Sequence, residues 1–214
     1  MPDKNTDLIA GLVADLQPVA PLAQRQGMAL AVLGLATGAA GIVARFGLRP
    51  ELGGGQPDAA ALISAGLFLV LALASAWAVV DAARPYVGIR REGWGWTALM
   101  AAVLPAAALG LMAGNWLRGV PAGLTLNGLN CILSGLGWGL LTAAALVWWL
   151  RRGAPLQPAR MGLLTGVAAG AAGIFAMSLN CPHNDMVHIG IWHGVTVILA
   201  GALGRLGIPR LIAW

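Results

Sequence analysis

Six long apolar segments limit what this chain can fold into more than any other feature. They cover residues 27–44, 59–83, 94–117, 127–150, 159–179 and 188–206. Most are close to the roughly 20 residues that a helix needs to cross the hydrocarbon core of a bilayer. Charged residues make up 10% of the chain, against about 25% in a soluble domain. The sequence therefore predicts a polytopic membrane protein.

We expect these segments to be helices. None shows the alternation of apolar and polar residues over about ten positions that is typical of outer-membrane strands. An isolated strand would also leave its backbone N–H and C=O groups unpaired in lipid. The predicted fold class is therefore all-α, a bundle of six transmembrane helices. Glycines four residues apart would let neighbouring helices pack closely; they are Gly34 and Gly38, Gly135 and Gly139, and Gly162, Gly166 and Gly170.

Lysine and arginine residues are divided unevenly between the two sides of such a bundle. With six spans, 10 of the 13 fall on the side of the chain ends. Because short loops rich in these residues stay in the cytoplasm, we expect both termini to lie in the cytoplasm. The net charge of +5 then indicates contact with anionic lipids rather than direct binding of nucleic acid. Residues 1–26 form a cytoplasmic N-terminal segment, 27–206 the bundle and 207–214 a short cytoplasmic tail.

The N-terminal segment contains "TDLIAGLVADLQP", which predicts a short amphipathic helix. Thr6 is a suitable N-cap and Pro18 a suitable end. Asp7 and Asp15 lie beside the apolar face, so this helix is suited to docking in a groove on a basic partner. The residues that recur on its apolar face are Leu8, Ile9, Leu12, Val13 and Leu16.

The two cysteines are predicted to lie together on the extracytoplasmic side. Cys131 opens the fourth span and Cys181 follows the fifth. An oxidising periplasm permits a disulfide there, and two free thiols are suited to oxidation or to binding soft metal ions. The alternative is two small buried residues that do not react. We favour a thiol pair with a role.

The stretch "SLNCPHNDMVHIG" places histidines and an aspartate beside the second cysteine. These side chains supply S, N and O donors, although their spacing matches no standard zinc motif. The candidate metal ligands are Cys131, Cys181, His183 and His188. Solvated loop residues are the alternative interpretation of His183 and Asp185. His193 lies inside the last span, where an ionisable side chain is a functional candidate by default.

Motifs of familiar enzymes are absent from the sequence. It has no Walker-type loop, no G-x-S-x-G, no H-E-x-x-H and no C-x-x-C. No carboxylate lies in the middle of a span, and Pro105 is the only candidate helix break, so transport has weak support. We expect no enzyme activity, no catalytic residues and no resident cofactor. A small thiol oxidoreductase, or a metal-binding or transport protein with a transient ion at the cysteines, is the alternative.

Several features occur together along the whole chain. They are "DLIAGLVADLQPVAPL" near the start, the six spans, a cysteine opening the fourth, "NCP" after the fifth, a tryptophan early in the sixth and the ending "PRLIAW". In these features the chain resembles the NrsF family of membrane anti-sigma factors. The resemblance implies an inner-membrane protein that sequesters an extracytoplasmic-function sigma factor and releases it under stress. The sigma-binding residues that it implies are Asp7, Leu8, Ile9, Leu12, Asp15, Pro18 and Val19, and the signal-sensing residues are Cys131 and Cys181.

A mechanism follows as a hypothesis. At rest, the N-terminal segment and the neighbouring cytoplasmic loops hold the sigma factor. Oxidation of Cys131 and Cys181, or metal binding to them, shifts the fourth and fifth spans and weakens that binding. A hundredfold loss of affinity requires only about 2.7 kcal/mol of coupling between the two sites.

Overall fold

The computed structural model describes residues 4–15, 22–56, 58–83, 94–119, 128–153 and 155–212, and within them it is helical throughout apart from turns and short connections. The helices are α1 (Lys4–Ala14), α2 (Gln24–Phe46), α3 (Pro50–Gly53), α4 (Ala59–Ala82), α5 (Trp94–Leu117), α6 (Gly128–Leu150), α7 (Pro158–Ser178), α8 (Met186–His188), α9 (Gly194–Gly207) and α10 (Pro209–Ile212). Between α8 and α9 lies a π-helical segment, Ile189–His193, called the π segment below.

The six predicted spans are present as helices long and apolar enough to cross a membrane. Five of them are α2, α4, α5, α6 and α7. The sixth runs without a break through α8, the π segment and α9, from Met186 to Gly207. Each predicted boundary lies within three residues of the observed helix end. The predicted all-α class and six-span bundle are confirmed.

Helix α7 is the centre of the bundle. It packs against α9, α6, α4 and α2, and residues 164–174 are buried without exception. Glycine and alanine fill most of these positions, so neighbouring helices approach α7 on all sides. In lipid, such close van der Waals packing takes the place of the hydrophobic driving force that water supplies.

Glycines set the spacing between α7 and its neighbours. A Cβ atom at Gly173 would collide with the carbonyl oxygen of Gly135 on α6, and one at Gly139 would collide with that of Ala169. On the other side of α7, a Cβ atom at Gly166 would collide with the carbonyl oxygen of Ala200. The predicted glycine spacing is therefore used for backbone contact, and it fixes α6 and α7 against each other directly below the two cysteines.

The bundle has two ends that differ in charge. One end carries Cys131 and Cys181 and is called the cysteine end below. There the backbone N–H of Arg49 donates to Leu179 O at 2.9 Å, and Asn180 Nδ2 donates to Phe46 O at 3.1 Å. The α2–α4 connection therefore contacts the segment that follows α7. Among the described bundle residues, three arginines lie at this end and six at the opposite end. The six are Arg25, Arg151, Arg152, Arg160, Arg205 and Arg210.

Helix α1 is exposed along its described length. Its apolar residues Leu8, Ile9, Leu12 and Val13 are between 59% and 63% exposed. The helix begins at Lys4, three residues before the first helical residue that a cap at Thr6 would give, so Thr6 lies inside the first turn instead of capping it. Asp7 is in that turn, where the helix dipole favours a carboxylate. Leu16, Pro18 and Val19 lie outside the described residues.

Candidate functional site

The two cysteines are in contact at the cysteine end. Their Sγ atoms are 3.8 Å apart, and both thiols are free. Cys131 lies in the first turn of α6 and is 4% exposed; Cys181 is 2% exposed. Helix α7 ends at Ser178, three residues before Cys181, and Pro182 disfavours a helical conformation at Cys181 itself. The chain turns there, with Cys181 N donating to Met177 O at 2.9 Å.

His188 completes a triangle with the two sulfurs. Its Nε2 atom lies 3.6 Å from Sγ of Cys131 and 3.6 Å from Sγ of Cys181. The ring is held by the start of α8, where Asp185 Oδ1 accepts a hydrogen bond from His188 N at 2.7 Å. Asp185 therefore acts as a helix cap, and its own side chain is exposed.

His193 joins the same cluster from one turn further along. It lies five residues after His188, and in a regular α-helix two such residues point about 140° apart. The π segment lies between them and changes that angle, so their ring centroids are only 5.4 Å apart. Neither ring nitrogen of His193 has a hydrogen-bond partner, and the residue is 2% exposed.

Helix α5 contains a proline that contacts the residue just after the π segment. Pro105, the helix break noted in the sequence, lies in α5 and contacts Gly194, the residue directly after His193. A proline inside a helix leaves a backbone carbonyl without its usual donor, and π-bulges are frequent at functional sites. The sequence analysis treated His193 as a functional candidate but did not include it among the candidate metal ligands. The signal that pointed to it was an ionisable residue inside a span.

Four ligating side chains therefore meet in one buried cluster. Each offers one atom, and these atoms lie within 4.8 Å of one another; the residues are Cys131, Cys181, His188 and His193. His183, predicted as a ligand from sequence, lies outside this group. Its ring stacks on that of His188 at a centroid distance of 4.5 Å, and it could share an ion with Asp185 and His188 instead.

The neighbours of Cys181 lower the pKa of its thiol. The hydrogen bond from Cys131 lowers the pKa of the Cys181 thiol below its ordinary value, with a smaller contribution from His188, and burial only partly opposes this. The thiolate is the form of cysteine that is oxidised and that binds metal ions.

A network of polar contacts holds the segment that carries Cys181. Arg49 is 4% exposed; its Nη2 donates to Asn184 Oδ1 at 2.6 Å and its Nε donates to Glu51 Oε2 at 3.2 Å. Asn180 Nδ2 adds a bond of 3.0 Å to Gly47 O. These contacts join the α2–α4 connection to residues 179–185 and so position the cluster from outside.

The fold and the site together define a class, a six-span membrane protein with an exposed amphipathic helix and a buried thiol–imidazole cluster. The model of the family described as "NrsF: Negative regulator of sigma F" matches residues 12–214. The chain belongs to the NrsF family, which confirms the resemblance, and it is a negative regulator of a sigma factor. No curated protein and no solved structure matches the chain significantly.

The family match covers only part of the N-terminal motif "DLIAGLVADLQPVAPL". It begins at Leu12, so that Leu12, Asp15, Pro18 and Val19 lie within it. Asp7, Leu8 and Ile9 precede the match, although they lie on the same helix α1 as Leu12.

Proposed function

We propose that this protein is an anti-sigma factor of the bacterial inner membrane that binds an extracytoplasmic-function sigma factor at its cytoplasmic face. It releases the sigma factor when a periplasmic stress signal, thiol oxidation or a heavy metal, acts on Cys131 and Cys181. Membership of the NrsF family over residues 12–214 is the observation that carries the proposal.

The proposed binding surface is the apolar face of α1. The side chains of Leu8, Ile9, Leu12 and Val13 are more than half exposed, and an amphipathic helix with such a face is suited to an apolar groove. Asp7 and Asp15 beside it would attract the basic surfaces with which a sigma factor binds polymerase and DNA. Helix α1 precedes α2, which starts at the arginine-rich end of the bundle. The positive-inside rule supports the cytoplasm as the location of that end.

The proposed sensing step changes the geometry between α6 and the end of α7. Oxidation by a two-electron oxidant such as a peroxide or quinone would remove two protons and two electrons from the thiols and form one S–S bond. The sulfurs would then move from 3.8 Å to about 2.05 Å apart. Because α6 and α7 touch through Gly135 and Gly173 without side chains between them, rotamer changes within this contact cannot absorb the displacement. A shift of α6 against α7 is the proposed route to the opposite end.

Burial of the sulfurs favours sensing over catalytic turnover. Cys131 and Cys181 are 4% and 2% exposed, whereas a thiol oxidoreductase exchanges disulfides with a partner that must reach its attacking sulfur. A small oxidant or metal ion reaches such a site more easily than a protein. The oxidoreductase alternative predicts turnover and no need for α1.

The test is co-purification of the sigma factor with the full-length protein and with a Leu12→Glu variant. Burying the 62% of Leu12 that is exposed would contribute about 1–2 kcal/mol, so the charge should weaken binding at least about tenfold. Ala10→Glu adds the same charge on another face of α1 and is the matched control. Equal loss in both variants, or in neither, would contradict docking through this face.

The second part of the test concerns release. A Cys131→Ser/Cys181→Ser variant should still bind the sigma factor but keep it bound under oxidant or heavy-metal stress. Sigma-dependent transcription in cells carrying this variant measures the response. A normal response in the double variant would rule out the cysteine sensor while leaving sigma binding intact.

A further inference from the structure

We infer that Cys131, Cys181, His188 and His193 form one four-coordinate site for a thiophilic divalent ion of the zinc and cadmium class. The inference adds two histidines to the cysteine pair, one of which, His193, no sequence pattern suggested as a ligand. As an account of what the sensor detects, it rests on the proposed function. As a binding site it stands on the geometry alone.

The interatomic distances fit a tetrahedral ion. Zinc lies about 2.3 Å from cysteine sulfur and about 2.0–2.1 Å from histidine nitrogen. Tetrahedral angles then place two sulfurs about 3.8 Å apart and a sulfur and a nitrogen about 3.6 Å apart. The measured Sγ–Sγ distance is 3.8 Å and both distances from sulfur to His188 Nε2 are 3.6 Å. The ligating atom of the fourth donor, His193, lies within 4.8 Å of the other three.

His193 also has the chemical state expected of a ligand. Both of its ring nitrogens are buried and neither has a hydrogen-bond partner. Buried polar atoms in proteins are nearly always paired, so each exception requires an explanation. Coordination of an ion would give one of these nitrogens a partner inside a membrane span, where solvent cannot provide one.

The charge of the site suits its burial. Two thiolates neutralise a divalent cation, and the two imidazoles are neutral ligands, so the occupied site has no net charge. A net charge would be costly in a site that is buried this fully. Binding replaces the two thiol protons, which are released to solvent. Sulfur and imidazole donors select soft and borderline ions over magnesium or calcium, which prefer oxygen.

The π segment is the local structure that lets both histidines face the two sulfurs. Without it, His188 and His193 would point about 140° apart around the helix, and only one could face the sulfurs. His183 is also a histidine, but it is half-buried and lies outside the four-residue cluster, with its ring 4.5 Å from that of His188 between centroids. It therefore serves as a matched control for a histidine that contacts the site without binding the ion.

The experiment is a titration of the purified, full-length, metal-free protein with Co²⁺ and with Cd²⁺ alone. We expect one ion per chain, with the intense visible bands of tetrahedral Co²⁺ and a sulfur-to-metal charge-transfer band. His193→Gln, His188→Gln and each cysteine-to-serine variant should lose at least about 100-fold in affinity, more than an outer-shell change produces. His183→Gln should lose less than about tenfold.

Two results would overturn the inference. One is an unchanged Co²⁺ spectrum and affinity in His193→Gln; the other is a weak, octahedral spectrum in the unaltered protein. Helical circular dichroism shows whether a variant is folded. If one is not, the unaltered protein is treated with one equivalent of Cd²⁺ and then with an alkylating reagent. Thiols that are not protected from alkylation would contradict the site.

The outcome separates this inference from the proposed function. A four-ligand site whose occupation leaves the sigma factor bound would preserve the site and contradict metal-triggered release. Sigma release that requires both cysteines but neither histidine, with no ion bound, would contradict the site and preserve release by oxidation.

Discussion

Replacement of Asn184 by alanine should destabilise the protein more than removal of the Glu51 charge, although both side chains bond to Arg49. The guanidinium is 4% exposed and donates to Asn184 Oδ1 at 2.6 Å. Its second bond, to Glu51 Oε2, is 3.2 Å long and its acceptor side chain is 42% exposed. The neutral amide, not the opposite charge, is therefore the closer and less solvated partner.

The expected magnitudes follow from burial. A hydrogen bond to a charged group contributes about 1.5–3 kcal/mol, and its loss leaves a buried donor unpaired. We therefore expect Asn184→Ala to lower the free energy of unfolding by about 1.5–3 kcal/mol. An exposed ion pair contributes about 0–1 kcal/mol, so Glu51→Gln should cost less than about 1 kcal/mol. Removal of both partners in Arg49→Met/Asn184→Leu should cost less than the sum of the single changes.

The assay is reversible unfolding of the full-length protein in mixed micelles, followed by circular dichroism during titration with a denaturing detergent. The unaltered protein, Asn184→Ala, Glu51→Gln, the two single changes Arg49→Met and Asn184→Leu, and the double variant are compared in one series. A cost for Glu51→Gln equal to that for Asn184→Ala would refute the argument from burial. Strict additivity in the double variant would refute the direct bond.

Two further predictions concern helix packing and pH. Gly139→Ala should lower the free energy of unfolding by about 1–3 kcal/mol, the cost of overpacking, because the added Cβ would collide with Ala169 O. The control is Gly137→Ala on the same helix α6, which should be neutral or stabilising because a Cβ there has nothing within 4 Å. Equal effects of the two changes in the same assay would contradict the contact. The pKa of Glu51 is lowered from 4.5 by a hydrogen bond to its own backbone N–H and by Arg49, so its stabilising contribution should be present above pH 4.5 and lost as the pH falls through the folded-state pKa. Subtracting the pH profile of Glu51→Gln from that of the unaltered protein measures this contribution, and a difference that grows on acidification would contradict the sign.

Much of the fold could be predicted because the thickness of the bilayer sets a minimum length for each spanning helix. A helix that crosses lipid must satisfy its own backbone bonds over about 20 apolar residues, and the sequence marks those runs by the charges that bound them. This is why the predicted span 94–117 and the helix Trp94–Leu117 coincide. The same logic puts Cys131 and Cys181 at one end, since one opens the fourth span and the other follows the fifth.

The candidate site was less accessible to sequence reasoning. The sequence identified Cys131, Cys181 and His188 as candidate ligands, but it grouped them with His183, their neighbour along the chain. The structure places His193 in the cluster and His183 beside it. Proximity in sequence was a poor guide because the π segment changes the direction of every side chain after it.

The sequence by itself determined the class, the six spans and the end of the bundle at which the thiols lie, because these depend on hydropathy and charge summed over many residues. Only the tertiary structure decided which side chains meet there. The approach of Gly135 to Gly173, the π segment before Gly194 and the bond from Arg49 to Asn184 join residues far apart in the chain or alter the local helical period. Such contacts are set by packing in three dimensions, and no single stretch of sequence encodes them.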